Sequence, residues 1–174
     1  MNHFSKKTAY SKSEILRYTL QNPDLKRRLP APPFLMFDQI VSIHTDGGDF
    51  NKGYLIAEKK VVFDEWFFFC HFQGDPVMPG VLEVDALLQL GGFFLMHLGF
   101  DGHGRALRTG RTIFREQVRP HHKKIIYKID FKKIITRKTP MAVARAVAEV
   151  DGEISAEIDE IMVGMFPDLN YVYP

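Results

Sequence analysis

The sequence predicts an α+β fold in which a curved antiparallel sheet wraps around one long buried helix. The stretch from Val81 to Leu98 carries apolar residues on every face, which is typical of a helix buried all round. The segments before and after it show the alternation of apolar and polar residues and the turn signals of strands. The order is two strands, one long buried helix and about four further strands, which indicates an α+β domain with a curved antiparallel sheet.

Length and composition indicate a single domain, residues 1–174, of which residues 1–10 are expected to be a loose N-terminal arm. The chain has 174 residues and is 45% hydrophobic, enough for a sizeable core. Cys70 is the single cysteine, so no intrachain disulfide forms and a reducing compartment fits. Because the first ten residues lack an apolar signal core, we expect a cytoplasmic protein.

The N-terminal half is predicted to hold a short helix and two strands. A Ser-x-x-Glu pattern beginning at Ser11 favours a helix start, and Pro23 is expected to end that helix. Phe34 to Ile43 and Gly53 to Phe63 are predicted to form a hairpin across the turn residues Asp46-Gly47-Gly48.

The C-terminal half is predicted to be a meander of four strands. Ala106 to Val118 is one candidate strand, and Lys124 to Ile135, where apolar and polar residues alternate, is a better one. Met141 to Val150 and Glu153 to Met165 flank Asp151-Gly152, a strong tight-hairpin signal. Because a single helix leaves an edge of such a sheet open, we expect two copies to pair as a homodimer.

Two alternatives for the chain as a whole are disfavoured. Glu83, Asp85, Gln89 and His97 interrupt the apolar helix, so we interpret it as a core helix and expect no membrane. The span from Arg105 to Lys138 holds twelve basic and two acidic residues, which indicates either a solvated strand face or a docking surface for an acidic or phosphorylated partner. No nucleic-acid-binding motif accompanies this charge, so no nucleic acid is expected.

The candidate site lies in the loop from His71 to Gly80 and the helix that follows. Pro76 and Pro79 prevent a continuous helix in this loop, so the helix is predicted to begin at about Gly80. A lone histidine among aromatic residues is more often structural than catalytic. Asp85 is more informative, because an unpaired carboxylate in an apolar helix costs several kcal/mol, although the nearby helix N-terminus leaves a structural role open.

The sequence lacks the motifs of several other common binding and catalytic sites. The sequence has no phosphate-binding loop, no dinucleotide glycine fingerprint, no G-x-S-x-G nucleophile motif and no metal-ligand spacing among its histidines. Cys70 is interpreted as a packed thiol. Gln89 shares a helix face with Asp85 four residues earlier, so its plainest role is to hydrogen-bond that carboxyl group.

These residues resemble the bacterial 3-hydroxydecanoyl-ACP dehydratase/isomerase family. The central motif is Trp66-Phe67-Phe68, Cys70-His71-Phe72, the run from Gly74 to Gly80, and Asp85-Ala86. Similar residues continue almost to the end of the chain, at Gly104 to Leu107, Gln117-Val118, Lys123-Lys124 and Val163 to Phe166.

The resemblance implies a hot-dog fold, a homodimer, and dehydration of a (3R)-3-hydroxyacyl thioester on acyl carrier protein without a cofactor or metal. His71 would be the base and Asp85 the acid, each active site taking them from different subunits. The backbone N–H of Gly80 would stabilise the enolate oxygen, and Val77 would orient the thioester through its backbone. The same family isomerises trans-2 to cis-3 products, which requires a tunnel that bends the acyl chain.

Besides Val81, which replaces a small or thiol residue, three residues depart from the family pattern. Phe69 replaces glycine beside the histidine, Glu83 replaces a small residue, and Leu88 replaces a tryptophan before Gln89. Phe69 and Leu88 are expected to reshape the substrate site. The leading prediction is therefore a dehydratase, and two alternatives stay open: a hot-dog thioesterase acting on acyl-CoA or acyl-ACP, and a non-catalytic protein that binds acyl carriers.

Overall fold

The computed structural model describes residues 7–19 and 25–167. One antiparallel sheet of seven strands has the order β1-β2-β5-β6-β7-β3, with β4 also paired to β7. The strands are β1 (Gln39–His44), β2 (Tyr54–Lys60), β3 (His103–Thr109), β4 (Thr112–Phe114), β5 (Lys124–Ile135), β6 (Met141–Val150) and β7 (Glu153–Phe166). The predicted α+β architecture of a sheet around a long helix is confirmed.

The long helix α2 (Gly80–His97) lies inside the curve of the sheet and contacts β5, β6 and β7. Its side chains make the core with the inward residues of these strands; the Phe94 ring, for example, stacks on Phe131 with 3.7 Å between centroids. The helix ends as predicted near Gly99, which has a φ of 84° that glycine adopts without strain. By length and composition α2 could span a membrane, but 67% of it is buried inside this fold.

The prediction that α2 is buried on every face is wrong for one stripe. Val81 is 65% exposed, and Val84, Asp85, Leu88 and Gly92 are only half-buried. These five positions recur every three or four residues and so share one side of the helix. The sheet and the segments around it therefore leave one side of α2 partly open.

The N-terminal segment is more ordered than a loose arm. Residues 1–6 lie outside the described ranges, but Tyr10 is 6% exposed, and it exchanges two backbone hydrogen bonds of 2.9 Å with Ile40. The helix α1 (Lys12–Leu16) follows, and the Glu14 carboxylate accepts a hydrogen bond from the Ser11 N–H at 3.0 Å. The predicted ending of this helix at Pro23 lies outside the described residues.

The strand predictions are confirmed best where the chain alternates regularly. β5 and β6 begin and end where the pattern predicts. Asp151 and Gly152, with φ of 48° and 100°, form the predicted tight turn between β6 and β7. The strand expected at Ala106 to Val118 is wrong in extent, because β3 and β4 are separate segments laid end to end along β7. β1 and the β3–β4 line are the two edges of the sheet.

Two adjacent glycines of α2 face different surroundings. A Cβ built on Gly91 would lie 3.1 Å from the Val163 side chain, so this glycine lets the helix pack closely on β7. A Cβ built on Gly92 would have no atom within 4 Å. Gly91 therefore serves packing, whereas Gly92 keeps a space open beside the helix.

This contrast predicts different stabilities for the same substitution. Gly92→Ala should stabilise the fold by about 0.5–1 kcal/mol, because alanine favours helix and meets no obstacle. Gly91→Ala should gain less or lose stability, because the new methyl group crowds Val163. Urea denaturation of both variants measures the difference, and equal changes in unfolding free energy would contradict this packing.

Candidate active site

The loop that carries His71 is closed by its own hydrogen bonds. The Val77 N–H donates to the His71 carbonyl oxygen at 2.8 Å, and Phe72 and Asp75 exchange backbone hydrogen bonds of 2.9 and 3.1 Å. The Phe72 ring lies against the imidazole with 3.9 Å between ring centroids. These contacts hold the imidazole in one orientation at the start of α2.

The side chain of His71 is fixed by a further bond to this loop. Its Nδ1 lies 2.9 Å from the Val77 carbonyl oxygen. Because a carbonyl oxygen only accepts, Nδ1 carries the proton, and in the neutral imidazole Nε2 is then the unprotonated nitrogen. The geometry therefore leaves Nε2 as the ring nitrogen that can accept a proton.

A neighbouring segment tethers the same loop from outside. The Met78 N–H donates to the Val118 carbonyl oxygen at 2.9 Å. The Arg119 guanidinium pairs with the Asp75 carboxylate at 2.6 Å, and its other nitrogen donates to Gln117 at 2.6 Å. Sequence reasoning missed Arg119, because its partner lies 44 residues away and the contact has no local signal.

Arg119 should therefore limit the motion of the histidine loop. Arg119→Ala is expected to raise the amide hydrogen exchange rates of Val77 and Met78 about fivefold, because loss of a partly exposed ion pair worth about 1 kcal/mol favours opening of the loop by that factor. Arg145→Ala removes another partly exposed arginine, which pairs with Asp49, and is the matched control. Equal exchange in the two variants would show that Arg119 does not hold the loop.

Asp85 lies on the open stripe of α2 and is half-buried. Burial raises the pKa of this carboxyl group above its ordinary value, and a hydrogen bond from the Gln89 amide opposes the rise. The Gln89 amide also donates to the Phe34 carbonyl oxygen at 2.9 Å and accepts from the Met36 N–H at 3.1 Å. Gln89 thus holds Asp85 and ties the segment before β1 to the helix.

Asp85 opens into a groove between α2, β3, β7 and the segment before β1. The helix contributes Asp85, Leu88, Gln89, Gly92 and Met96 to its wall. The rest of the lining consists of Arg28, Leu29, Pro30, Gly104, Arg105, Ala106, Val163 and Met165. His71 is absent from this lining, so within the described part of one protomer the base and the acid do not share the groove.

The N-terminus of α2 lies between the histidine loop and the strand edge. The Gly80 N–H belongs to the first turn, where amides have no partner within the helix. A Cβ built on Gly80 would come within 2.7 Å of the Phe114 ring, so a side chain does not fit there. Glycine at this position lets β4 approach the helix start.

The three departures from the family pattern occupy different places. Leu88 lines the groove next to Asp85, whereas the side chain of Phe69 is 72% exposed and lies outside the groove. Glu83 points to the other side of α2, where it is 2% exposed and its carboxyl group contacts the hydroxyl of the fully buried Ser155. Glu83 therefore does not enter the groove.

Burial raises the pKa of Glu83 to about 7, and the hydrogen bond from Ser155 opposes the rise. The hydroxyl of Tyr127 is also buried in this core and has no hydrogen-bond partner among the described residues. Burial, followed by the charge of Glu83, raises the pKa of Tyr127 well above its ordinary value. An ionised Glu83 is thus disfavoured in the folded chain.

Glu83 should make the protein less stable as the pH rises. The unfolded chain loses this proton near the ordinary value of 4.5 and the folded chain near 7, so the destabilisation grows through that window and reaches about 3 kcal/mol above it. In Glu83→Gln this decline should be missing, whereas Glu153→Gln, at an exposed position, should keep it. Unfolding free energies at pH 5 and pH 8 test this, and equal declines in all three proteins would contradict a buried neutral Glu83.

The fold identifies the structural class of the protein. The sheet wrapped around one helix is the hot-dog fold, and it matches the dehydratase heterocomplex ApeI:P from Xenorhabdus doucetiae with a TM-score of 0.59 and 11% identity over 79% of this chain and 86% of that chain. It also matches a hypothetical thioesterase protein with coenzyme A from Streptococcus pneumoniae TIGR4, with a TM-score of 0.50 and 12% identity over 74% and 85% of the two chains. At these identities the likeness shows the fold alone.

The sequence itself matches a family model. Residues 29–159 match the FabA-like domain, and they include the His71 loop, the Gly80 helix start and Asp85. The chain belongs to the FabA-like domain family.

Proposed function

We propose that this protein dehydrates (3R)-3-hydroxyacyl thioesters carried by acyl carrier protein to trans-2-enoyl thioesters. The observation that carries the proposal is that the chain holds both a His71 whose Nε2 is free to accept a proton and an Asp85 whose pKa is raised by burial. A base and a protonated acid are the two groups that this elimination requires. The family match covers both residues.

The reaction follows from these two groups. His71 Nε2 takes the proton from C2, and the electron pair moves toward the thioester carbonyl, whose developing negative charge is stabilised by the Gly80 N–H at the start of α2. The C2=C3 double bond forms as the C3–O bond breaks. Asp85 gives its proton to the departing hydroxide, which leaves as water.

A homodimer completes this site. His71 does not line the groove of Asp85, and that groove encloses only about 150 Å³, less than the roughly 300–1,000 Å³ of pockets that bury a small-molecule ligand. Apolar side chains are exposed beside it, on the open stripe and at the β3–β4 edge: Val81 is 65%, Leu107 41% and Phe114 52% exposed. A second copy on this face would cover them and bring its His71 to the first copy's Asp85.

The carrier would approach the basic part of the chain. Five of the twelve cations between Arg105 and Lys138 pair with carboxylates of neighbouring segments: Arg108, Arg115, Arg119, Lys124 and Lys128. Lys133, Arg137 and Lys138 stay exposed around the turn after β5. An acidic carrier domain would be attracted to this turn.

Isomerisation of the trans-2 product to a cis-3 product would need only the same base and acid with a bent acyl chain. Leu88, in place of the family's tryptophan, lines the groove beside Asp85. Because isomerisation depends on the shape of the channel that holds the acyl chain, we expect this change to favour dehydration over isomerisation. An assay that separates trans-2 from cis-3 products of 3-hydroxydecanoyl-ACP measures both activities.

His71→Asn and Asp85→Asn should each lower the dehydration rate at least a hundredfold, because each removes a proton-transfer group. Both variants should keep the wild-type circular dichroism and melting temperature within a few degrees, since both residues are only part-buried. Cys70→Ser changes the residue beside His71 and serves as the control with near wild-type rates.

Two results would replace this proposal. Release of free thiol without a double bond would make the protein a thioesterase of the same fold, and carrier binding without turnover would make it a binding protein. Near wild-type rates in either Asn variant would refute the roles of His71 and Asp85.

A further inference from the structure

His71 is held from its N-terminal side by a short 3₁₀ helix, Trp66–Phe69. The His71 N–H donates to the Phe67 carbonyl oxygen at 2.9 Å, and the Cys70 N–H donates to the same oxygen at 3.3 Å. Phe67 and Phe68 are buried in the core, with exposed fractions of 1% and 6%. The position of this 3₁₀ helix therefore sets the position of the His71 backbone, whereas the loop that follows orients the imidazole ring.

A buried ion pair lies at the start of the 3₁₀ helix. Glu65 directly precedes the helix, and its carbonyl oxygen accepts a hydrogen bond from the Phe68 N–H at 3.0 Å. Its carboxylate pairs with the ammonium group of Lys59, which lies near the end of β2. The Lys59 side chain is 9% exposed and the Glu65 side chain 14%, so both charges are largely removed from water.

Lys59 occupies a position where the strand would otherwise place an apolar residue. It follows Leu55 and Ala57 on the inner face of β2, and both of these residues are fully buried. A lysine is rarely buried unless it is paired, and removal of one partner would leave the other charge uncompensated in the core. Two apolar side chains would fill the same space without this cost. The ion pair therefore adds direction rather than burial, because a charge-assisted hydrogen bond fixes a distance and an angle, which apolar contact does not.

The connection between β2 and the 3₁₀ helix is a turn that this ion pair closes. The Val61 N–H donates to the Lys123 carbonyl oxygen at 2.9 Å, which ties the start of the turn to the segment before β5. The Glu65 N–H donates to the Val62 carbonyl oxygen at 3.2 Å. Between these bonds Phe63 is 76% exposed, so its ring does not anchor the turn in the core. The carboxylate of Glu65 thus ties the end of the turn back to β2.

We propose that Lys59 and Glu65 form a positioning pair for His71. The ion pair fixes the 3₁₀ helix against β2, and the hydrogen bond from the His71 N–H to the Phe67 carbonyl oxygen fixes His71 to that helix. The inference rests on the proposed function, because it names two residues that align the His71 Nε2 with the C2 proton. Both act through His71 and not on the substrate. Misplacement of a catalytic group by about 1 Å costs on the order of a hundredfold in rate, so loss of the pair should lower kcat and leave KM nearly unchanged.

A double-mutant cycle measures this effect. Lys59→Met and Glu65→Met should each lower kcat for 3-hydroxydecanoyl-ACP about tenfold, with KM within about twofold of the wild-type value. The double variant should also lie about tenfold below wild type, because after one change the second removes no further contact. A roughly hundredfold loss in the double variant, a loss confined to KM, or wild-type kcat in any of the three variants would overturn the proposal.

The double variant also keeps the test valid if the single variants fail to fold. It leaves no unpaired charge in the core, so it should retain the wild-type circular dichroism spectrum and melting temperature, and its kcat then decides alone. Lys12→Met is the matched control, because Lys12 also pairs with a carboxylate, that of Asp38 at 2.9 Å, but its side chain is 67% exposed. This control should keep kcat within about twofold of wild type. An equal loss in the control and in the double variant would overturn a role specific to the buried pair.

A spectroscopic measurement separates this inference from the proposed function. In the wild-type protein the bond to the Val77 carbonyl oxygen keeps the proton on Nδ1, so the nitrogen NMR spectrum of the neutral His71 imidazole should show that tautomer. In Lys59→Met/Glu65→Met the displaced imidazole should lose part of this bond, and the tautomer protonated at Nε2 should appear; His71→Asn identifies the signals. If the wild-type protein dehydrates no substrate, the proposed function fails, and the spectra still decide whether the pair positions His71. The same single tautomer in both proteins would overturn the inference.

Discussion

The sheet and the N-terminal segments cover α2 on all sides but one, and the groove, Asp85 and the exposed apolar edge all lie on the side that remains open. An apolar helix of this length needs a nearly complete cover, and one curved sheet supplies most of it. The half-covered stripe from Val81 to Gly92 is where Asp85 opens into the groove. Its partial burial also raises the pKa of that carboxyl group, so one packing arrangement both opens Asp85 to the groove and shifts its titration.

The His71 imidazole is positioned separately, by a loop that is closed by its own backbone hydrogen bonds. The imidazole is held by the Val77 carbonyl oxygen, and the loop is tied to the segment at Val118 and Arg119. Neither tie reaches Asp85. His71 and Asp85 are therefore positioned independently, and the proposed homodimer would combine them.

The sequence predicts this structure well where contacts are local and poorly where they are not. The bounds of β5 follow from alternation alone, and Gln89 is placed beside Asp85 by its helical spacing. The sequence predicts a first strand that begins at Phe34, but β1 begins at Gln39. The Gln89 side chain, and not the sheet, accepts from the Met36 N–H and donates to the Phe34 carbonyl oxygen.

Long-range features carried no such signal. The pairing of Arg119 with Asp75 and the groove lining by Arg28 depend on how distant segments meet. The sequence did not indicate which way the Glu83 side chain points. In the structure its carboxyl group contacts Ser155, on the side of α2 away from the groove. The sequence does indicate the position of Gly92, because this residue lies seven residues after Asp85 and therefore shares its helix face.

The most direct test of a shared site is a mixture of two inactive variants. Chains carrying His71→Asn and Asp85→Asn would be unfolded together, refolded together, and assayed for dehydration of 3-hydroxydecanoyl-ACP. In a mixed dimer one of the two sites receives both intact residues. Random pairing of equal amounts makes half of the dimers mixed, so about one quarter of the wild-type activity is expected. Inactive mixed dimers, with their formation verified by mass spectrometry, would contradict a site in which His71 and Asp85 come from different subunits.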